Sequence, residues 1–312
     1  MTKKRVFNIE VLIPFIILAV MVVIFAVSTQ GKLFTAASLR TLVKQTISLM
    51  IAGLGMLFVA AIGGCDITQG SLAGLCAAVT AFAATYSIPL AICLSILIGL
   101  VSGTFLGVVN AKFRVPSFMV SLAMMIGLRA MVSQVLGNNS VILPIPYLIL
   151  DDFKVSVTVL LILIVVITYI FHYTAFGAGC QAIGENEKAV KFAGVHVDKF
   201  KIGAYAMSGL MTGIAAVFIL ARVGGSSNVI GLGFEMRIMM ALYIGGVPVA
   251  GGFASKVYKV VVGAFIIQLL ESGLLLSNVA GAMTQMIRGF VLLFVVFIMV
   301  RINKRARAAA GA

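Results

Sequence analysis

Charged residues are scarce in this chain. Asp, Glu, Lys and Arg make up 10% of its 312 residues, whereas 62% are hydrophobic. A soluble domain of this length needs far more polar surface to cover its core, so the composition excludes one. Apolar runs such as VLIPFIILAVMVVIFAV, residues 11–27, are long enough to cross a bilayer. The sequence therefore predicts an all-α, polytopic membrane protein.

Cysteine and histidine are also few, which limits the chemistry that the chain can perform. The four cysteines form no CxxC pair, so we expect small buried thiols rather than a disulfide or a metal site. The histidines, His172 and His196, have no convergent carboxylate or cysteine constellation. We therefore expect no catalytic residue and no metal ligand on this chain. The cysteines are Cys65, Cys76, Cys93 and Cys180.

Apolar windows predict a bundle of about ten transmembrane helices in a single domain, residues 1–312. The eighth window is short and ends in GGVPVAGG, which is typical of a broken or re-entrant helix. The windows are 11–28, 46–64, 70–86, 88–109, 116–136, 155–172, 203–221, 237–250, 258–276 and 281–300.

The net charge of +14 does not indicate nucleic-acid binding, because the basic residues are not gathered on one polar domain. With ten spans, fifteen Lys and Arg residues fall on the side of the two termini and six on the other. This asymmetry predicts that both termini lie in the cytoplasm.

Residues 180–201, CQAIGENEKAVKFAGVHVDKFK, form a polar island between apolar segments on the predicted cytoplasmic side. Asn186 can cap a helix whose first turn holds Glu187, and Gly194 is placed to end it. A helix of about two turns is too short to be stable alone, so packing must hold it. It either lies on lipid or inserts into a cytoplasmic partner. Its apolar residues are Ala189, Val190, Phe192, Ala193 and Val195.

The island resembles the cytoplasmic loop of permease subunits of ribose-type ATP-binding-cassette (ABC) sugar importers, in the branched-chain amino acid/ribose permease superfamily. Three other stretches resemble motifs of the same family: GGCDITQGSLAGL from Gly63, VPSFMVSLAMMIGLRAM from Val115 and GLGFEMRIMMALYIGGVPVAGG from Gly231. The island positions that fit the pattern are Gly184, Asn186, Ala189, Gly194 and Val195.

This resemblance implies a type II-like importer with two permeases, identical or homologous, in the bacterial inner membrane. An extracytoplasmic binding protein would deliver a monosaccharide to them. Residues 181–201 would be the coupling loop that docks on an ATP-binding subunit, with Phe192 as the buried anchor. The chain has no Walker-type loop, so it needs no cofactor of its own, and ATP with Mg²⁺ is expected on that partner. The expected coupling residues are Glu185, Asn186, Glu187, Ala189, Val190, Phe192, Gly194 and Val195.

Charges within the spans need a partner or a water-lined site. Counting residues along antiparallel spans places Glu271 and Arg288 at a similar depth. We expect them to pair, or to share a polar network with Gln268 and Gln285, and so to hold the last two spans together. Direct contact of this pair with sugar is the alternative.

Two further groups of polar residues are candidate sites. Arg222 and Arg237, at the outer ends of spans, are predicted to dock acidic residues of the binding protein; interfacial snorkelling is the alternative. Asp66 is expected either to cap the following helix or to form a cytoplasmic gate with Gln69 and Ser71. Glu235 is a further candidate for the transport path, or orients an arginine or the start of the eighth span.

A stand-alone secondary transporter or channel for a small polar solute is the main competing hypothesis, and a membrane enzyme is a weaker one. The sequence leaves the transported solute open. Residues 137–152 form the longest outer loop, predicted to be a short re-entrant or docking segment, with Asp151 and Asp152 as solvated charges.

Overall fold

A computed structural model describes residues 9–137 and 139–277, together with individual positions between 283 and 297. Ten α-helices account for most of the first two ranges. They are α1 Ile9–Ser28, α2 Ala36–Ala61, α3 Gln69–Ala83, α4 Ile88–Lys112, α5 Ser117–Leu136, α6 Phe153–Tyr173, α7 Ala175–Phe192, α8 Val197–Val223, α9 Phe234–Ile244 and α10 Val257–Leu276.

Six of these helices, α2, α4, α5, α6, α8 and α10, are long and apolar enough to cross a membrane. Two shorter apolar helices accompany them, at Leu12–Ser28 and Gln69–Ala83. The predicted helical membrane fold is confirmed. The described residues also contain one short pair of antiparallel strands, β1 Val141–Ile142 and β2 Gly225–Ser226.

Nine of the predicted windows coincide with described helices, and half of the positions in the tenth, 281–300, lie outside the described residues. Three boundaries differ from the prediction by six residues or more. Helix α8 begins at Val197 rather than at residue 203. Helix α2 begins ten residues early, at Ala36, because the Thr35 side chain accepts the Ser38 N–H at 3.4 Å and caps it. Helix α9 ends at Ile244 rather than at residue 250. Gly246 has φ +90° just beyond its end, and Pro248 follows.

Helices α4 and α8 pack backbone against backbone along the glycine-containing stretches 99–107 and 208–213. A Cβ on Gly103 would overlap the Tyr205 carbonyl oxygen and lie 2.9 Å from the Cα of Gly209. The Ser95 hydroxyl adds a hydrogen bond of 2.8 Å to the carbonyl of Gly213. Small residues allow this close approach, which is a common way for helices to associate in membranes.

Helices α3 and α9 are too short to cross the membrane. Their 15 and 11 residues correspond to about 22 Å and 16 Å at 1.5 Å per residue, against a hydrocarbon core of about 30 Å. The N-terminus of α3 contacts the chain at the start of α9: a Cβ on Gly74 would lie 2.9 Å from the carbonyl oxygen of Ile230. Two helix N-termini therefore meet inside the bundle, bringing their partial positive charges together.

Residues 139–152 pack onto the end of the bundle opposite the island. The side chain of Asn228 donates a hydrogen bond of 2.7 Å to the carbonyl of Gly137, and Tyr147 in a 3-10 turn is fully buried. Asp151 forms an ion pair with Lys44, and Asp152 accepts the N–H of Lys154 at 3.1 Å, capping α6. Asp151 is therefore an ion-paired residue rather than only a solvated charge, whereas Asp152 is exposed, as expected.

Candidate functional site

The island contains the short helix that its sequence predicts. The backbone of Asn186 leaves the helical conformation, with φ −157° and ψ 94°, which divides α7 into two helical parts. The side-chain oxygen of Asn186 accepts the N–H of Ala189 at 3.0 Å, so Asn186 caps the second part. Gly194, with φ +80°, lies just beyond the last residue of that part. The predicted cap and terminator of the island helix are confirmed.

The first part of α7 anchors the island to the rest of the bundle. A Cβ on Gly184 would overlap the carbonyl oxygen of Ala61, the last residue of α2. The same carbonyl accepts the N–H of Gly252 at 2.9 Å. Glu185 accepts the N–H of Phe253 at 3.0 Å. The start of the island helix is thus fixed to the end of α2 and to the loop between α9 and α10.

A salt bridge joins the island helix to α8. The Lys201 ammonium lies 2.8 Å and 2.9 Å from the two carboxylate oxygens of Glu187. Lys201 is in the first turns of α8, the helix that packs most extensively on α4 and α2. A movement of the island helix would therefore be transmitted to α2, to α8 and to the loop that precedes α10.

The far face of the island helix is exposed. Phe192 is 90% accessible, the most exposed large hydrophobic side chain in the described part of the chain, and Val195 is 36% accessible. Val190 instead packs partly against the main core. The apolar residues of the island therefore have two different environments. Val190 packs against the bundle, and Phe192 projects away from it. An exposed aromatic side chain on a fixed, polar helix is typical of a protein-contact site.

A basic cavity of about 980 Å³ opens beside the island, between α8 and the turn that joins α4 to α5. Gly63, Gly64 and Tyr205 also line this cavity. Its charged lining residues are Arg114, Glu187, Lys188, Lys191, Asp198, Lys199 and Lys201. The island end of the bundle is thus strongly basic.

Asp66 lies in a buried polar network where the chain passes from α2 to α3. One carboxylate oxygen accepts the N–H of Thr68 at 2.9 Å and its hydroxyl at 2.5 Å. The other accepts the hydroxyl of Ser208 at 2.7 Å, and Ser208 in turn accepts a side-chain N–H of Gln69 at 2.8 Å. The N-cap residue of α3 is Thr68, and α3 has no side-chain cap hydrogen bond, so the prediction that Asp66 caps α3 was wrong. Asp66 instead binds the N–H of Thr68 before the helix and is connected through Ser208 to α8.

Ser71 and Glu235 lie near the meeting point of the two short helices. Ser71 is buried in the first turn of α3. Glu235, in the first turn of α9, is half-buried, and a Cβ on Gly70 would overlap its carboxylate. A carboxylate is favoured between helix N-termini. The guanidinium of Arg129 holds the preceding turn, donating to the carbonyls of Ile230 at 3.0 Å and Asn228 at 3.4 Å.

A second polar cavity, of about 450 Å³, lies toward the end opposite the island, between α2, α8, α9 and α10. Arg222 and Arg237 both line it, and both are half-buried. The guanidinium of Arg222 donates to the carbonyl of Gln45 at 3.4 Å. Arg237 lies 3.5 Å from a carboxylate oxygen of Glu271 and stacks on the ring of Phe234, 5.4 Å from its centre.

The predicted pair between Glu271 and Arg288 is not described, because Arg288 and Gln285 lie outside the described residues. Sequence reasoning did not predict the ion pair between Glu271 and Arg237. Gln268, which was expected in this network, lines the same cavity. It donates to Gln45 at 2.5 Å and to Ser272 at 3.1 Å.

Comparison with known proteins identifies the family. A family model described as the branched-chain amino acid transport system / permease component matches residues 38–296, which is most of the chain. The chain belongs to this family. The resemblance inferred from the island and three other motifs is thereby confirmed. No solved structure matches the chain.

The permease is similar along most of its length to three curated proteins. The xylose transport system permease protein of Haemophilus influenzae is 28% identical, over 96% of this chain and 98% of its own. The ribose import permease protein of Escherichia coli K12 is 29% identical, over 90% and 92%. The autoinducer 2 import system permease protein of Photorhabdus luminescens is 28% identical, over 80% of each chain.

Proposed function

We propose that this permease is the transmembrane subunit of an ABC importer for a monosaccharide. The observation that carries the proposal is the exposed Phe192 on a capped helix that is tied to α2 and α8. Such a helix suits transmission of a partner's movement into the bundle. ATP, with Mg²⁺, is hydrolysed on that partner, and this chain supplies the membrane path. The names of the xylose and ribose relatives support a sugar as the solute.

The distribution of basic residues supports one orientation of the protein in the membrane. We propose that the basic island end faces the cytoplasm of a bacterial cell, together with both chain termini. The region 281–300 would complete a bundle of about ten helices, with α3 and α9 contributing partial spans. Two copies, identical or homologous, would form the complete permease, and the transport path would lie between them.

The coupling surface comprises Glu185, Asn186, Glu187, Ala189, Val190, Phe192, Gly194 and Val195. In this proposal Phe192 enters the partner, while Glu185 and Glu187 carry its motion to the bundle. Asp66 and Gln69, which share a buried network, and the buried Ser71 in the first turn of α3 would belong to the cytoplasmic gate. Glu235 would lie farther along the path. The links from Asp66 through Ser208 to Gln69 support this role, since they join α3 to the helix that holds Lys201.

Co-purification tests the proposal against a stand-alone transporter. A tagged wild-type chain, expressed from its native cell, is expected to bring down an ATPase that stays bound through size-exclusion chromatography. A stand-alone transporter would purify without any ATP-hydrolysing protein. That result would contradict the importer.

Glu185→Ala is expected to uncouple ATP hydrolysis from transport. The substitution removes the acceptor for the N–H of Phe253 but leaves Phe192 exposed, so the ATPase should still bind. We expect the amount of sugar moved per ATP to fall about tenfold, in line with loss of a charge-assisted hydrogen bond. Asp198→Ala, which removes an exposed carboxylate in the first turn of α8 that is not part of the coupling surface, is the control. Equal ratios in wild type and Glu185→Ala would rule out this link.

The binding protein is proposed to dock over the outer cavity, drawn by Arg222 and Arg237. Arg237→Gln is therefore expected to slow its association about fivefold at low ionic strength, with the difference shrinking as salt is added. Surface plasmon resonance on nanodiscs measures this rate. Lys154→Gln, which removes an exposed positive charge from the start of α6, is the control. If both variants slowed binding equally, general charge rather than this site would be responsible.

A further inference from the structure

The outer cavity contains more hydrogen-bonding side chains than docking of a binding protein requires. Its volume of about 450 Å³ falls in the range of small-molecule sites, about 300–1,000 Å³. Polar groups from three helices converge on it. They are Gln45 of α2, Arg237 of α9, and Gln268, Glu271 and Ser272 of α10.

These polar groups are held in place by one another. Gln268 donates to both Gln45 and Ser272, and Arg237 contacts Glu271. Their side chains together present amide, hydroxyl, guanidinium and carboxylate groups, and so offer both donors and acceptors. Each hydroxyl of a polyol also donates and accepts, and so matches such a surface. Leu33, Leu42 and Leu275 add apolar lining that suits the C–H groups of a sugar ring.

The charges of the cavity do not cancel, because two guanidinium groups and one carboxylate line it. The guanidinium of Arg237 faces the carboxylate of Glu271, and the guanidinium of Arg222 donates to a backbone carbonyl. Selection of a solute by this cavity therefore depends on the match of hydrogen-bonding groups, which the hydroxyl groups of a polyol provide.

The position of the cavity suits a solute that enters from the outside. Gln45 precedes the last residue of α2 by 16 residues, which places it about 24 Å from the island end. The exposed Leu275 lies at the mouth of the cavity. A solute released by a docked binding protein would reach this cavity before any polar group of the Asp66 network.

We infer that the outer cavity is a low-affinity subsite for a monosaccharide, with Gln268 as its central hydrogen-bonding residue. This inference rests on the proposed function as a sugar permease. It assigns the first sugar contact to α2 and α10 of this chain.

Fluorescence can test the subsite, because the chain contains no tryptophan. In Leu275→Trp, a single indole reports from the mouth of the cavity. We expect D-ribose or D-xylose to change its emission saturably, at millimolar concentration, in nanodiscs that hold the full chain. Glycine betaine, a small solute without a hydroxyl group, should produce no saturable change. A change that is only linear in sugar concentration for both sugars would contradict the subsite.

Substitutions of residues that line the cavity test whether the fluorescence change arises from sugar bound there. Gln268→Met keeps the length of the side chain, and Ser272→Ala is the milder change. Each is expected to weaken the saturable response about tenfold or more, since each removes a hydrogen-bonding group. Thr104→Val removes a hydroxyl from the exposed face of α4 and should leave the response unchanged. Unaltered binding in both cavity variants would place the sugar elsewhere.

ATP-driven uptake separates this inference from the proposed function. If the complete importer moves sugar while Gln268→Met and Ser272→Ala transport normally, the subsite is wrong and the importer stands. If the wild-type chain, with its ATPase and binding protein, neither hydrolyses ATP in response to sugar nor accumulates it, both proposals fail.

Discussion

Phe192→Asp is expected to release the ATPase from an otherwise intact permease. The side chain is 90% accessible in this chain, so the substitution removes almost no internal packing. In the complex, however, it would bury an unpaired carboxylate in the partner's groove. A cost of about 3 kcal/mol would weaken the complex about 100-fold, enough to lose the partner during purification.

Val229→Asp is the matched control for this experiment. Val229 is another exposed apolar residue, 67% accessible, but it lies in the turn between α8 and α9, away from the island. We expect Val229→Asp to retain the ATPase. Retention by Phe192→Asp as well would show that Phe192 is not the anchor.

Gly103→Leu is expected to prevent stable folding of the bundle. Any side chain at this position would meet the backbone of α8 at Tyr205 and Gly209, and backbone cannot rotate away. Overpacking of this kind costs about 3 kcal/mol or more, a large part of the stability of a typical domain. Thermal unfolding in detergent, followed by size-exclusion chromatography, should show a lower melting temperature and loss of the monodisperse peak.

Gly127→Leu provides a control of the same chemistry in the neighbouring helix. A Cβ on Gly127 would have nothing within 4 Å, because this glycine lies on an exposed face of α5. We expect its melting temperature to match that of the wild type. Equal losses at the two positions would mean that the α4–α8 contact is not the source of the effect.

The features that the sequence predicted best are those that depend on residues close together in the chain. Long apolar windows identify helices because the bilayer demands about 20 apolar residues per span. Asn186 and Gly194 bounded the island helix because capping needs only a side-chain oxygen at one end and a permissive backbone at the other.

The first part of α7, from Ala175 to Glu185, was not predicted as a helix. Its sequence is rich in glycine, which disfavours a helix in isolation. In the structure these glycines are packing positions: a Cβ on Gly179 would overlap the Phe200 ring, and one on Gly184 the Ala61 carbonyl. Tertiary contact therefore outweighs helix propensity here, and such contact is not visible in the local sequence.

The pairing of Glu271 with Arg237 was missed for a different reason. Counting residues along full spans placed Arg237 at a membrane surface. Because α9 is a partial span that begins inside the bundle, Arg237 instead lies at the depth of Glu271. The stretch GGVPVAGG, at the C-terminal end of this window, did indicate a broken helix. The depth of the N-terminus of α9, however, is set by contacts with α3.

Uptake into proteoliposomes tests the central claim most directly. The permease would be reconstituted with its ATPase and binding protein, and radiolabelled D-ribose and D-xylose would be offered outside, with ATP enclosed on the side of the ATPase. We predict accumulation of one of these sugars above its external concentration, dependent on both ATP and the binding protein. Equilibrating uptake that proceeds without either component would contradict the importer and identify a stand-alone transporter.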